Sequence, residues 1–358
     1  MSPRTARGDA GFSLPEVMIS MGIMLVVLGG TFTAMTNAMQ AEQTVRSITT
    51  LNGNLRASMD LLVRDLLQVG QGLQTGRVIG VPNGPGAQPI NRPGPVAGTC
   101  AGVTTFPAAP TISAVTVGPD LGPPINGQCT DVITTLAVDG TFDDVSVTAV
   151  AANGQSITIA AAVNISDAPD ANGDNIRVGD LIEVRRGQSS VLQYVTAVAG
   201  QTISFDPGDP LGLNQFDAGL VMLGTMNQLQ ADIGSISAYK IRMITYFVDI
   251  TTNPASPRLV RQIGAGARNA VAFEIEAFRL TYDIADGDDN PASVRMDTAD
   301  LSPSGACSPS PCSPNQIRKA NVSLAIRSEQ RTKQAGYYHN TLFTQVALRS
   351  LSFVDKYQ

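Results

Sequence analysis

The stretch GDAGFSLPEVMISMGIMLVVLGG, Gly8 to Gly30, decides how the rest of the chain is read. From Val17 to Met39 there is no charged residue. As an α-helix rising about 1.5 Å per residue, such a segment is long enough to cross a hydrocarbon core about 30 Å thick. Arg4 and Arg7 precede it, and basic flanks stay on the cytoplasmic side, so the remainder of the chain is expected to be exported. One acidic residue, Glu16, stands at the start of the run, just after Pro15. A carboxylate in lipid is costly and marks a functional position by default. An ordinary secretory signal, removed after a small residue such as Ala38, fits the basic-then-apolar order. A plain amino-terminal anchor fits it too. Neither accounts for Glu16, nor for the way the apolar run passes into a second helical pattern without a break.

That second pattern lies in QAEQTVRSITTLNGNLRASMDLLVRDLLQVGQG, Gln40–Gly72. Val45, Ile48, Leu51, Leu55, Met59, Leu62, Leu66 and Val69 recur at steps of three and four, which is one apolar stripe of an amphipathic helix. Arg46, Arg56, Asp60, Arg64 and Asp65 are placed largely off the stripe, with Asp60 and Arg64 spaced to support each other at i, i+4. Gly70 and Gly72 close the helix. Asn52, Gly53 and Asn54 are weak helix formers that mark a candidate kink. One helix with two environments follows: lipid or a bundle of like helices for residues 12–39, and a folded partner for residues 40–72.

Beyond the helix, the 358-residue chain carries a net charge of −6, with charged residues at 15% and no tryptophan. Small and β-branched residues must therefore carry the packing, and no basic run offers a nucleic-acid surface. Residues 73–130 are rich in Gly and Pro and read as a long surface loop. From Asp131 the pattern changes to strands: DVITTLAV, DVSVTAVAANGQSITIAAAV, DLIEVRR, SVLQYVTAVAGQTISFD and YKIRMITYFVD. Asn153-Gly154 is a hairpin turn. VTAVAANGQSITIA (147–160) and VTAVAGQTISFD (195–206) echo each other, as one hairpin solution used twice. Further strands are expected in VAFEIEAFRLTYDI, with a helical turn around Val271–Phe278, and in KANVSLAIRSE and FTQVALRSLSF. The body is thus 131–358.

The four cysteines, Cys100, Cys129, Cys307 and Cys312, form no CxxC and have no nearby histidine, which argues against zinc. Four cysteines allow three connectivities, or four free thiols. Cys100–Cys129 and Cys307–Cys312 are favoured, because Pro/Gly-rich flanks gain from a staple and an exported chain meets oxidising conditions.

GFSLPEVMISMGIMLVVLGG resembles the amino-terminal signature of type IV pilins and pseudopilins. The resemblance implies cleavage of a leader, residues 1–11, between Gly11 and Phe12 by a prepilin peptidase. It implies methylation of the new Phe12 amine, and a role for Glu16 in assembly opposite the amine of a neighbouring subunit. LLVRDLLQVG (61–70) and the carboxyl-terminal strands are similar to the PilW family. That resemblance implies an α+β, type IV pilin-like fold, with a long N-terminal helix packed on a large antiparallel β-rich domain. The implied role is a minor pilin that primes and caps a type IV pilus. The implied partners are other minor pilins, the major pilin, the inner-membrane assembly platform and a large tip adhesin. The implied location is the inner membrane with a periplasmic body, then the pilus tip. A minor pseudopilin of a type II secretion system and an anchored exported adhesin are the alternatives.

No phosphate loop, dinucleotide fingerprint or metal-protease helix appears, and His339 is a lone histidine read as a surface loop residue, so no motif supports an enzyme. DAPDANGDN and DIADGDDN alternate oxygen ligands around a glycine, at Asp170, Asn172 and Asp174 and at Asp286 and Asp288. Each is a weak calcium candidate set against an acidic hairpin turn, since neither has the closing glutamate.

Overall fold

The computed structural model describes residues 12–74, 78–82, 87–96, 98–100, 105–160, 176–187, 189–215, 236–284, 293–294, 316–329, 331 and 336–351. One long helix, α1 (Leu14–Leu67), leads into a large antiparallel β domain, an α+β arrangement. The helix is continuous through Asn52-Gly53-Asn54, so no break occurs at the three weak formers. Packing on one face offsets their low propensity.

The strands in chain order are β1 (Val78–Gly80), β2 (Thr111–Ser113), β3 (Val115–Thr116), β4 (Pro124–Ile125), β5 (Gln128–Cys129), β6 (Ile133–Val138), β7 (Val145–Val150), β8 (Ser156–Ile159), β9 (Leu181–Arg186) and β10 (Ser189–Tyr194). Then follow β11 (Ala197–Ala199), β12 (Thr202–Ser204), β13 (Ile236–Asp249), β14 (Arg258–Ile263), β15 (Arg268–Phe273), β16 (Ile275–Ile284), β17 (Ser293–Val294), β18 (Ile317–Arg327) and β19 (His339–Ala347). Strand β13 organises the domain. Its first half pairs β9 on one edge and touches β7 on the other; its second half pairs β14 and β6. A separate sheet runs β17-β16-β18-β19.

Two cores result. The larger joins Leu51, Leu55, Met59, Leu62 and Leu66 of α1 to the inward side chains of β6, the second half of β13, β16 and β18. The smaller lies wholly within residues 142–238. Its strands run in the order β10-β9-β13-β7-β8-β12-β11, all antiparallel. Only Val195 and Thr196 separate β10 from β11, so the two ends of this path are consecutive pieces of one strand. The path therefore closes into a small barrel, and closure removes its sheet edges. Alternation sends Val147, Ile157, Ile182, Val184, Val191, Val195 and Ile203 inward.

The echoed sequences meet inside this barrel. Strand β8 pairs β12 with Ile157 opposite Ile203, Ser156 opposite Ser204 and Thr158 opposite Thr202. Equivalent residues thus exchange places about a local two-fold. Side chains and flanking amides obey it as well. Thr148 donates to the Thr158 carbonyl and Thr196 to the Ser204 carbonyl, both at 3.1 Å. The Ile159 amide donates to Gln201 at 3.0 Å, and the Phe205 amide to Gln155 at 2.8 Å. The hairpin solution is used twice and then paired with itself.

The Gly/Pro-rich stretch departs from the expected surface loop. Among the described residues, its regular structure comes in pieces of two or three residues, β1 to β5, but Ile79, Val81, Ile90, Phe106, Ile112 and Val115 are buried in the larger core. Arg92 fastens it. Its guanidinium donates to Thr134 Oγ1 at 3.0 Å and to the carbonyls of Thr116, Val117 and Val132 at 2.7–3.2 Å. Burial pulls its pKa down to about 10. At Gly80 a Cβ would lie 2.1 Å from the Ser190 carbonyl oxygen, so only glycine lets β1 approach β10 so closely. Gly72, at φ +73, turns the chain back after α1 with Val138 where a Cβ would stand.

The helical turn expected around Val271–Phe278 is instead a strand-to-strand corner. Glu274 sits at φ +56 beside a register shift in β16, which bends the chain from one sheet to the other.

Candidate functional site

The site begins at the free end of α1. Phe12 is 87% exposed and precedes the helix. Ser13 is the N-cap, with φ −77 and ψ 148, and Pro15 falls in the first turn, where its missing N–H removes no helical hydrogen bond. Glu16 is the fourth residue on from the cap-preceding Phe12. Its Oε2 accepts the Ser13 backbone N–H at 3.1 Å and the Ser13 hydroxyl at 3.0 Å. The carboxylate thus closes a capping box and lies at the positive end of the helix dipole. No cation touches it among the described residues, so its charge is oriented but not neutralised. Gly11, the other side of the expected cleavage bond, lies outside the described residues.

From Phe12 to Gln43 no residue of α1 is buried, although this half is apolar all round. By length and composition it is a candidate membrane span. Its few hydroxyls are satisfied within the helix: Ser20, Thr31, Thr33 and Thr36 donate to carbonyls three or four residues back at 2.9–3.0 Å. That internal satisfaction suits a medium without water. Gly22, Gly29 and Gly30 have open space where a Cβ would stand.

The second half of α1 is held instead of free. The stripe is buried from Leu51 onward, whereas Val45 is 62% exposed and Ile48 only partly covered. The β domain therefore begins to cover the helix two turns later than the periodicity suggests. Asp65 was placed off the stripe, and the structure corrects this. It is buried, and its two oxygens receive Arg261 Nε at 2.6 Å and Nη2 at 3.2 Å. Tyr246 donates its hydroxyl to Asp65 Oδ2 at 2.6 Å. Burial, and then the bond to Asp65, push the Tyr246 phenol well above its ordinary pKa, so it remains a donor. Gln68 pairs with Arg242, and Asn340 donates to Asn52 at 2.6 Å. Asp65 follows the fully buried Leu62 by three residues, which is the signal that its side of the helix faces the core. The i, i+4 ion pair on α1 joins Glu42 to Arg46 at 2.5 Å, and none forms between Asp60 and Arg64.

Among the other residues singled out from sequence, Cys100 and Cys129 are joined by a disulfide with Cα atoms 6.0 Å apart. It ties the Gly/Pro-rich stretch to the β4–β5 hairpin. Cys307 and Cys312 lie outside the described residues, as do Asp170, Asn172, Asp174, Asp286 and Asp288. His339 is the first residue of β19, not a loop residue; its Nδ1 lies 2.6 Å from Glu276 Oε2 in an exposed pair.

No curated protein and no solved structure matches the chain. Residues 6–32 match the prokaryotic N-terminal methylation motif, so the chain carries a type IV pilin-like signal on an apolar helix that fits anchoring in the inner membrane.

Proposed function

We propose that this chain is a minor pilin of the PilW type, a structural subunit that helps prime assembly of a type IV pilus and stays at its tip. The observation that carries the reading is the free half of α1. An uncovered apolar helix, whose start lies inside the matched methylation motif, opens on an exposed Phe12 and a capped carboxylate that touches no cation among the described residues.

Each feature then has a physical role. A prepilin peptidase cuts between Gly11 and Phe12, and the new amine is methylated. In the membrane, Ser13 holds the Glu16 carboxylate at the helix end and reduces the cost of its burial in lipid. In a bundle of like helices the Phe12 amine of a neighbour supplies the missing positive charge. A matched pair in a low-dielectric bundle is far less costly than a lone ion, so the pair favours one axial register. The uncovered glycines permit close approach of neighbouring helices. The body stays in the periplasm until the subunit enters the filament with other minor pilins.

Mass spectrometry of the mature amino terminus tests this reading. N-methyl-Phe12 is the expected first residue, and Gly11→Ala is expected to retain the leader. A mature chain that begins near Met39 is the result of an ordinary signal peptide and refutes the proposal.

A further inference from the structure

Strands β6 and β13 pair directly, Val138 opposite Ile241. Between these two neighbouring residues the chain leaves, forms the closed barrel, and returns. Its exit and re-entry points touch: the Asp139 amide donates to the Lys240 carbonyl at 2.7 Å, and the Lys240 amide to Phe142 at 2.9 Å. Without residues 139–240, β6 and β13 would be the two arms of a hairpin. Every buried member of the smaller core lies inside this segment, between Phe142 and Ala238. Among the described residues, the barrel meets the larger core through Leu181, Leu192, Leu211 and Leu213, with Tyr194 and Tyr239 packed beside them.

The placement is also specific. Gln74, just past the end of α1, donates to the Gly187 carbonyl in the β9–β10 turn at 2.8 Å. The Gly80 amide donates to Ser190 Oγ at 3.2 Å. The barrel therefore sits at the end of α1 opposite the membrane half, about 80 Å from Phe12 along a 54-residue helix. None of the contacts that hold α1 on the body at Asp65, Gln68 or Asn52 comes from residues 139–240.

We propose that residues 139–240 are an inserted barrel that folds as its own cooperative unit and takes no part in membrane anchoring or filament entry. It is displayed at the far end of the subunit. Two paired copies of one hairpin, β7–β8 and β11–β12, supply four of its seven strands, and the body supplies a docking face. The molecule then divides its labour. The helix and the 12–138 plus 241–351 body carry assembly, and the insert is free to vary without disturbing it.

The test introduces an unpaired charge at the centre of the local two-fold, Ile203→Asp, in the full chain. Hydrogen–deuterium exchange of the detergent-solubilised protein is expected to accelerate at least about a hundredfold in β7, β8 and β12, while β16 and β18 stay within about twofold of wild type. The same variant is expected in sheared filaments at the wild-type level. Equal loss of protection in β16 and β18 would overturn the separate unit. Exclusion from filaments with a protected body would overturn the division of labour. Ile203→Ala gives the same two readings if the aspartate chain is degraded. The filament arm rests on the minor-pilin proposal and the exchange arm does not. Absence of the wild-type chain from filaments therefore counts against that proposal and leaves the exchange result standing.

Discussion

The two ends of α1 each present a carboxylate, and their surroundings are opposite. Glu16 is exposed and, among the described residues, held by Ser13 with no cation in contact. Asp65 is buried, gripped by two nitrogens of Arg261 and by the Tyr246 hydroxyl. A buried carboxylate with full partners belongs to the finished structure. Under the proposed function, the oriented Glu16 carboxylate is kept for the amine of a neighbouring subunit. The helix is thus complete at one end and open at the other, and the change occurs between Val45 and Leu51.

Substitutions should separate the two ends, with the largest effect at the closed one. Asp65→Ala strips the partner from a mostly buried guanidinium and should lower body stability by about 3–5 kcal/mol, read as a fall in the thermal midpoint in detergent. An unchanged midpoint would mean that the Asp65–Arg261–Tyr246 contacts do not fix the helix. Leu62→Ala, at a side chain with no exposure, should cost about 2–4 kcal/mol by chemical denaturation. Gln193→Val should act in the other direction. Gln193 is fully buried, both its amide atoms lack a partner among the described residues, and it falls on the inward parity between Val191 and Val195. The echo aligns it with Val145, an apolar residue. Removing the unsatisfied amide should raise the stability of the barrel by about 1–2 kcal/mol, and a loss would show that the amide has a partner in solution. Val45→Ala, on the uncovered part of the stripe, should change stability by less than about 0.5 kcal/mol. A larger loss would place the edge of the body nearer the membrane than Leu51.

Much of this was legible in the sequence because it is local. The charge-free run, the helical stripe (read from Val45, though covered only from Leu51), the strands and the Asn153-Gly154 turn follow from periodicity and turn chemistry within a dozen residues. The echo of 147–160 in 195–206 was legible too, but not its consequence. Pairing β8 with β12, and closing the barrel through β9 and β13, joins residues tens of positions apart, and no local pattern encodes that. The burial of Ile79, Val81, Ile90, Phe106, Ile112 and Val115 is hidden for a different reason. Gly and Pro forbid long strands there, but a stretch of short strands can still cover a core when Arg92 satisfies the carbonyls beneath it. Asp65 was misplaced because a charge on a helix is ordinarily solvated. Its partner, Arg261, lies 196 residues away.

The central claim is that the open end of α1 serves assembly and not the fold. Glu16→Ala tests it most directly, by comparing the variant with wild type in sheared filaments and in thermal unfolding. The account predicts normal N-methylation of Phe12, an unchanged unfolding midpoint and loss of the variant from the filament fraction. Wild-type recovery of the variant in filaments would contradict it.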